Sequence, residues 1–286
     1  PNHGRSYTHS THEMAYGEEL NLALTDYLVG RNDDAYALVR GVLCGIFNGP
    51  TPGGLACHAY TDGRQRANDE FADAISMWAR TITEGLFGIM PKKPEGMVEL
   101  TPQLPTGWNE AAIETPHFSY RWRRTPATLA LDWKSPVETR VRLRVPIAAE
   151  RLEPVQVDGQ SAVATTEPAF AGATWVQVES QPRREGTFHV TFTPRAVRLP
   201  DQVTARSGER RSISLPQGRP SDWRDPQGLL AEAKLTGGTL EGVVSGRAGP
   251  GLLFALAGDA PCQSWLPVRL RIEPKTPQPP PKLWSP

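Results

Sequence analysis

The chain is 286 residues long, enough for about two domains, with 31 basic and 31 acidic side chains. That balance removes the electrostatic case for nucleic acid, and no apolar run approaches the ~18 residues needed to cross a bilayer. With 28 prolines and 26 glycines, turns and short strands are favoured over long helices.

Residues 1 to 16, PNHGRSYTHSTHEMAY, show no periodicity and read as a polar, His-rich loop. The chain starts at Pro1 with no charged-then-apolar leader, so a leader is expected to be removed or to lie outside this sequence. A first helix is expected over Glu18 to Val29, because Leu20, Ala23, Leu24, Tyr27 and Leu28 form one apolar stripe. Gly30 suits the position just past its end. Asn32 can cap a second helix, with Asp33 and Asp34 in its first turn. Its stripe is Ala35, Leu38, Val39, Val42, Leu43, Ile46 and Phe47, and the short connection implies antiparallel packing. Cys44 reads as a small core residue, with a Cys44–Cys57 disulfide as the alternative.

Asn48 to Gly54 breaks the helix, and a loop is expected from about Leu55 to Ala67. Asn68 can cap a third helix over about Asp69 to Glu84, with Phe71, Ala74, Ile75, Trp78 and Ile82 inside and Gly85 ending it. Three one-sided helices cannot bury their stripes alone, so further helices upstream are expected.

From about Met97 the period becomes 2. Phe118, Tyr120 and Trp122 alternate with polar residues, as do Leu129, Leu131 and Trp133, then Val141, Leu143, Val145 and Ile147. Asp158-Gly159 marks a hairpin turn. Thr174 to Glu179, and Phe188, Val190 and Phe192, continue the pattern, which points to an antiparallel sandwich. After a boundary at Pro194 to Pro200, strands are expected at Arg211–Leu215, Leu229–Leu235, Leu240–Val244, Leu252–Leu256 and Val268–Ile272. The domains are then helices over 1–96, a sandwich over 97–199, a small β-rich domain over 200–273 and a Pro-rich tail over 274–286.

Three carboxylate clusters precede the strands: His12-Glu13 in the first loop, Glu18-Glu19 at the start of the first helix, and Asp69-Glu70 at the start of the third. Carboxylates in a first helical turn are ordinary dipole partners, and that reading is preferred for Glu18-Glu19. For Asp69-Glu70 it competes with a substrate-facing role, because His58, Tyr60, Asp62, Arg64 and Asn68 crowd the loop before them. Glu13, beside His3, His9 and His12, is either a site carboxylate or solvated. His9, His12 and Glu13 lack the helical spacing of a zinc site, and no GxSxG occurs, so neither a metal nor a serine triad is expected. The aromatics Tyr7, Tyr16, Tyr60 and Trp108, in loops or at the junction, can stack on sugars, whereas Trp78, Trp122 and Trp133 read as core.

The run Glu84-Gly85-Leu86-Phe87-Gly88-Ile89, the following Pro91, and the turn Pro102-Gln103-Leu104-Pro105-Thr106-Gly107-Trp108 resemble the exit from the helical toroid of six-hairpin, (α/α)6 glycosidases into their C-terminal β-sandwich. The resemblance covers roughly residues 12 to 165 and is to uncharacterised bacterial members of that superfamily. It implies a multidomain α and β chain, with a partial helical (α/α) toroid, then an antiparallel β-sandwich and a small additional β-rich domain. It also implies a glycoside hydrolase, or its C-terminal portion, acting on an oligo- or polysaccharide. Glu70 and Asp69 come first as members of the acid/base pair and Glu13 second. His12, His58, Tyr60, Arg64, Asn68 and Trp108 are the expected substrate contacts. No metal, cofactor, nucleic acid or membrane partner is expected, and the missing N-terminal helices of the same protein are. A periplasmic or secreted location follows from that activity. The alternatives are noncatalytic carbohydrate-binding or structural β modules, and a toroid-type polysaccharide lyase using Tyr60 and His58 with Arg64 and Asn68.

Overall fold

The structure, a computed structural model, describes residues 13–48, 58–60, 65–66, 73–170, 172–196, 201–215 and 220–274. These residues are mostly β, with three helices near the start. The chain forms two compact units. The first comprises Pro1–Val145, Gln156–Ala162 and Val178–His189; the second comprises Pro146–Val155, Val163–Gln177 and Val190–Pro286.

In the first unit, helices α1 (Tyr16–Leu28) and α2 (Asn32–Asn48) pack as a hairpin. Tyr16, Leu20, Ala23 and Tyr27 meet Ala35, Val39 and Val42 in its interior, all almost fully buried. Gly30, at φ 80°, closes α1 as expected. Its amide donates to Tyr27 and that of Arg31 to Asp26, at 3.0 and 2.8 Å, so the orphan carbonyls of the last turn are satisfied. Asn32 does not cap α2. It is the first helical residue, and its amide nitrogen Nδ2 reaches the Leu104 carbonyl at 3.4 Å. Gly45 is needed where it stands, because a Cβ there would collide with the Tyr16 hydroxyl.

The third helix α3 is Asp73–Arg80, shorter than the expected span, and it widens into a π-helical turn over Thr81–Leu86. The Thr81 hydroxyl, fully buried, donates to the Leu20 carbonyl at 2.9 Å and fastens this turn to α1. Ala74 is buried as expected, but Ile75 is 53% exposed and Trp78 only half-buried. Cys44 is likewise exposed, which corrects its reading as core. Leu28, Val29 and Phe47 stand 65–66% exposed. The hairpin thus buries one side of each helix and leaves apolar side chains bare on the others.

Beyond the turn come the strands Ile89–Lys92 and Met97–Leu100, an antiparallel pair whose second member runs parallel to residues 140–143. Ser119–Arg124 lies between Glu110–Glu114 and the first part of Thr128–Ile147. The alternation read from sequence decides which side chains point inward: Phe118, Tyr120, Trp122, Leu129, Leu131, Trp133, Val141, Leu143 and Val145 are all at most 5% exposed. Trp133 stacks on Phe118 with ring centroids 5.9 Å apart and planes at 8°. Trp122 and Trp133 are core, as expected. Asp158 and Gly159 both adopt positive φ, 54° and 76°, and close the hairpin Gln156–Ser161. Arg142 bonds Glu179 at 2.7 Å and Glu99 at 3.3 Å, which raises the guanidinium's affinity for its proton.

In the second unit, Gly249–Ala257 pairs along its length with Ser264–Glu273, which also takes Val203–Arg206 and residues 169–170 as parallel neighbours. Asp222–Arg224 adds to the other edge. A separate sheet holds Arg210–Ser214, Thr239–Val244 and Leu230–Thr236, with a bulge where Glu232 takes φ 52°. Ile213, Leu230, Leu240 and Val244 from this sheet share one core with Ala205, Leu253, Val268, Leu270 and Ile272 from the other. The five strands expected after residue 200 are all present, within a few residues of their expected ends.

Candidate functional site

Two stretches read as loops contain strands. Glu13–Ala15 pairs antiparallel with His58–Tyr60, and the latter with Gln65–Arg66. The register sets Glu13 opposite Tyr60, Ala15 opposite His58, and His58 opposite Arg66. Glu13, His58 and Tyr60, three candidates far apart in sequence, are therefore joined through backbone pairing in one small sheet. The remaining candidates His12, Arg64, Asn68, Asp69 and Glu70 lie outside the described residues, as does Cys57 of the alternative disulfide.

The first strand runs directly into α1, so Tyr16 and Glu19 follow Glu13 within two turns; Tyr16 opens the helix and is 1% exposed, which corrects its reading as a loop aromatic open to a sugar. Glu19 is fully buried and Glu18 half-buried, with its Oε2 lacking a hydrogen-bond partner among the described residues. Burying a carboxylate is costly, and where it occurs beside candidate residues it marks a group worth testing. The helix-dipole reading does not account for the burial of Glu19. Its position, three after Tyr16 and four before Ala23, places it on the buried stripe, and that spacing was visible in the sequence.

Trp108 sits on the Pro-rich linker between the strands Met97–Leu100 and Glu110–Glu114. Its ring meets Tyr36 edge-on at 5.0 Å. Beside it, Asp33 accepts the Thr106 amide at 2.9 Å and the Thr106 hydroxyl at 2.6 Å. These bonds, the hydroxyl's first, hold the Asp33 carboxyl below its usual range. A lowered carboxyl stabilises the fold fully above the ordinary carboxylate pKa of about 4, and loses that contribution as pH falls through the folded value. Wild type is therefore expected to exceed Asp33→Asn in urea midpoint at neutral pH, with the gap closing below about pH 3. A gap that stays constant from pH 7 to pH 2.5 would show that the Asp33 charge does not fasten the linker.

Other bonds complete the junction. The Thr101 amide donates to Gly88 at 2.9 Å and the Gln103 amide to Leu86 at 3.0 Å, so the linker runs beside the helix exit. The Tyr120 hydroxyl donates to the Phe87 carbonyl at 2.7 Å, and burial pushes that phenol's pKa well up.

No protein-family model matches the chain, and no curated protein does. Among solved structures it is similar to an α-L-rhamnosidase from Dictyoglumus thermophilum, at 13% identity over 42% of this chain and 13% of that one, with a TM-score of 0.32. It is similar to a GH127 β-L-arabinofuranosidase from Geobacillus stearothermophilus T6 at 10% identity, over 96% of this chain and 51% of that one, with a TM-score of 0.30. Tandem Ig repeats of Dlar align at 11% identity over 53% of this chain and 92% of theirs, with a TM-score of 0.22. The chain thus spans an eighth to a half of the length of these two glycosidases, and all three scores fall below those of a shared fold.

Proposed function

We propose that this chain is the C-terminal portion of a glycoside hydrolase, its three helices the last of a helical toroid and its strands the appended β domains. The observation that carries the reading is the junction itself. A helical hairpin passes through Gly85-Leu86-Phe87-Gly88 into strands, and the Pro-rich linker folds back onto the start of α2 through Asn32, Asp33 and Tyr36. The sequence of that junction resembles the toroid exit of six-hairpin glycosidases. The bare apolar positions Leu28, Val29, Phe47 and Ile75 support it too, since further helices would cover them.

Hydrolysis of a glycosidic bond needs one protonated carboxyl to release the leaving oxygen and one carboxylate to activate water or attack the sugar. Asp69 or Glu70 supplies one member and Glu13 the other, with His12, His58, Tyr60, Arg64, Asn68 and Trp108 contacting the glycan. No metal or organic cofactor takes part. The substrate is a neutral or charged oligo- or polysaccharide met in the periplasm or outside the cell.

The test is a glycan panel incubated with the intact protein, following reducing ends and ultraviolet absorbance together. Glu70→Gln, Asp69→Asn, Glu13→Gln and Glu19→Gln run beside wild type. Reducing ends without absorbance, lost in at least one folded variant by ~100-fold or more, are the expected result. Absorbance rising with cleavage would replace hydrolysis by a lyase acting through Tyr60 or His58. Full activity in all four variants would place the chemistry elsewhere in the protein.

A further inference from the structure

The second unit carries an aromatic cleft on the side of its sheet that faces away from the core. Along Gly249–Ala257, Leu253, Ala255 and Ala257 point inward, so Leu252, Phe254 and Leu256 point out. On the neighbouring Ser264–Glu273, Leu266, Val268 and Leu270 point inward and Trp265 out. The register sets Leu256 opposite Trp265 and Arg224 opposite Phe254, while Phe170 lies beside Trp265. A sheet face opposite the core ordinarily carries polar residues, yet this one collects three aromatic rings from three strands: Phe170 exposed, Phe254 half-buried and Trp265 covered.

Those rings are arranged as a corner. Phe170 meets Phe254 at 5.3 Å with planes at 65°. The Arg224 guanidinium lies 4.5 Å over the Trp265 ring, a cation–π contact that holds the fork in place. Phe170, Arg224, Asp225, Pro226, Phe254 and Trp265 line an open-sided cleft of about 410 Å3. That size lies at the small end of ligand pockets, and the composition is theirs: apolar rings with a few polar groups at the edge. Phe170 is 64% exposed and so offers an uncovered ring. One cation, Arg224, and one anion, Asp225, line the site, so it presents no net field to select a charged ligand. A group with an apolar flat face and a rim of hydroxyls matches it, which describes a pyranose.

We propose that this cleft is a noncatalytic binding site for one residue of a neutral polysaccharide, with the sugar face on Phe170 and hydroxyls toward Arg224. Only the class of ligand rests on the carbohydrate reading above; the site needs no carboxylate pair and no cleavage. Binding is therefore measured on this 286-residue chain, apart from any hydrolysis. The probes are native gels cast with galactomannan, xyloglucan or mixed-linkage β-glucan, and with polygalacturonate as the charged counterpart. Phe170→Ala removes an exposed ring and is expected to leave the melting temperature unchanged; Phe254→Leu and Arg224→Ala are tested beside it.

Wild type should be retarded by at least one neutral glycan, and Phe170→Ala should weaken that affinity about tenfold or more. Retardation that survives in Phe170→Ala overturns the proposal. So does retardation by polygalacturonate alone, or by no glycan at all. Self-association that Phe170→Glu abolishes, without glycan binding, would assign the face to a second copy of the chain. Binding without hydrolysis leaves this site standing while the enzymatic reading fails, and the reverse outcome separates them equally.

Discussion

Replacing Gly88 with alanine is expected to lower stability by ~3 kcal/mol, and the melting temperature of the first unit by on the order of 5–10 °C. Two costs add at this position. Gly88 adopts φ 62°, where any other L-residue pays about 1–2 kcal/mol. A Cβ would also run into the Thr101 carbonyl, which is backbone and cannot swing aside. That carbonyl is held close because the Thr101 amide donates to Gly88 and the Gln103 amide to Leu86. Gly96 separates the two costs: its φ is also 62°, but nothing lies within 4 Å of a Cβ there. Gly96→Ala should lose only about 1 kcal/mol. Equal losses in the two variants, read from urea midpoints, would show that the close approach of linker and helix exit contributes nothing.

Trp133→Ala is expected to cost about 3–5 kcal/mol, at the upper end for a core truncation. Trp133 is 1% exposed and stacked on Phe118, so its removal opens a cavity that the flanking strands cannot collapse into. Gly186 has no side chain because the indole occupies the space: a Cβ there would lie 2.9 Å from Trp133 Nε1. That indole N–H has no hydrogen-bond partner among the described residues, so Trp133→Phe forfeits volume but no bond. It should lose less than half as much as Trp133→Ala. If the two variants melt together, the indole's bulk is not what the core requires.

The strands were largely legible because their signal is local. Leu129, Leu131 and Trp133 share parity with Val141, Leu143, Val145 and Ile147, and the structure joins them into the single strand Thr128–Ile147. The strand runs on through Ser135-Pro136 because Pro136 is exposed, where no ladder bond from its nitrogen is needed. Asp158-Gly159 and Gly30 were legible for a different reason: each needs a backbone conformation that few residues accept. The helices were legible in kind but less so in burial. Periodicity marks an apolar side without saying what covers it, so Ile75, Phe47 and Leu28 read as core yet stand exposed.

The candidate site was least legible. Glu13, His58 and Tyr60 come together through three-residue strands, too short to show alternation, whose pairing spans some 45 residues. Nothing local encodes such a pairing. Ile89–Lys92 was hidden similarly, since Pro91 within it argues against a strand. The aromatic corner in the second unit is legible only with the register in hand, because Phe170, Phe254 and Trp265 are far apart in sequence.

The bare residues of the helical hairpin also bear on how substitutions there would be read. Leu28, Val29 and Phe47 contribute little to the folding of this chain, since they remain in water when it folds. Polar replacements at these three positions should therefore be thermodynamically silent in this chain and improve its solubility. A variant that is silent here yet damaging in the intact protein would locate the surface another stretch of polypeptide rests on. Under the proposed reading, positions whose chemistry looks gratuitous in this chain would map the surface that its remaining helices cover.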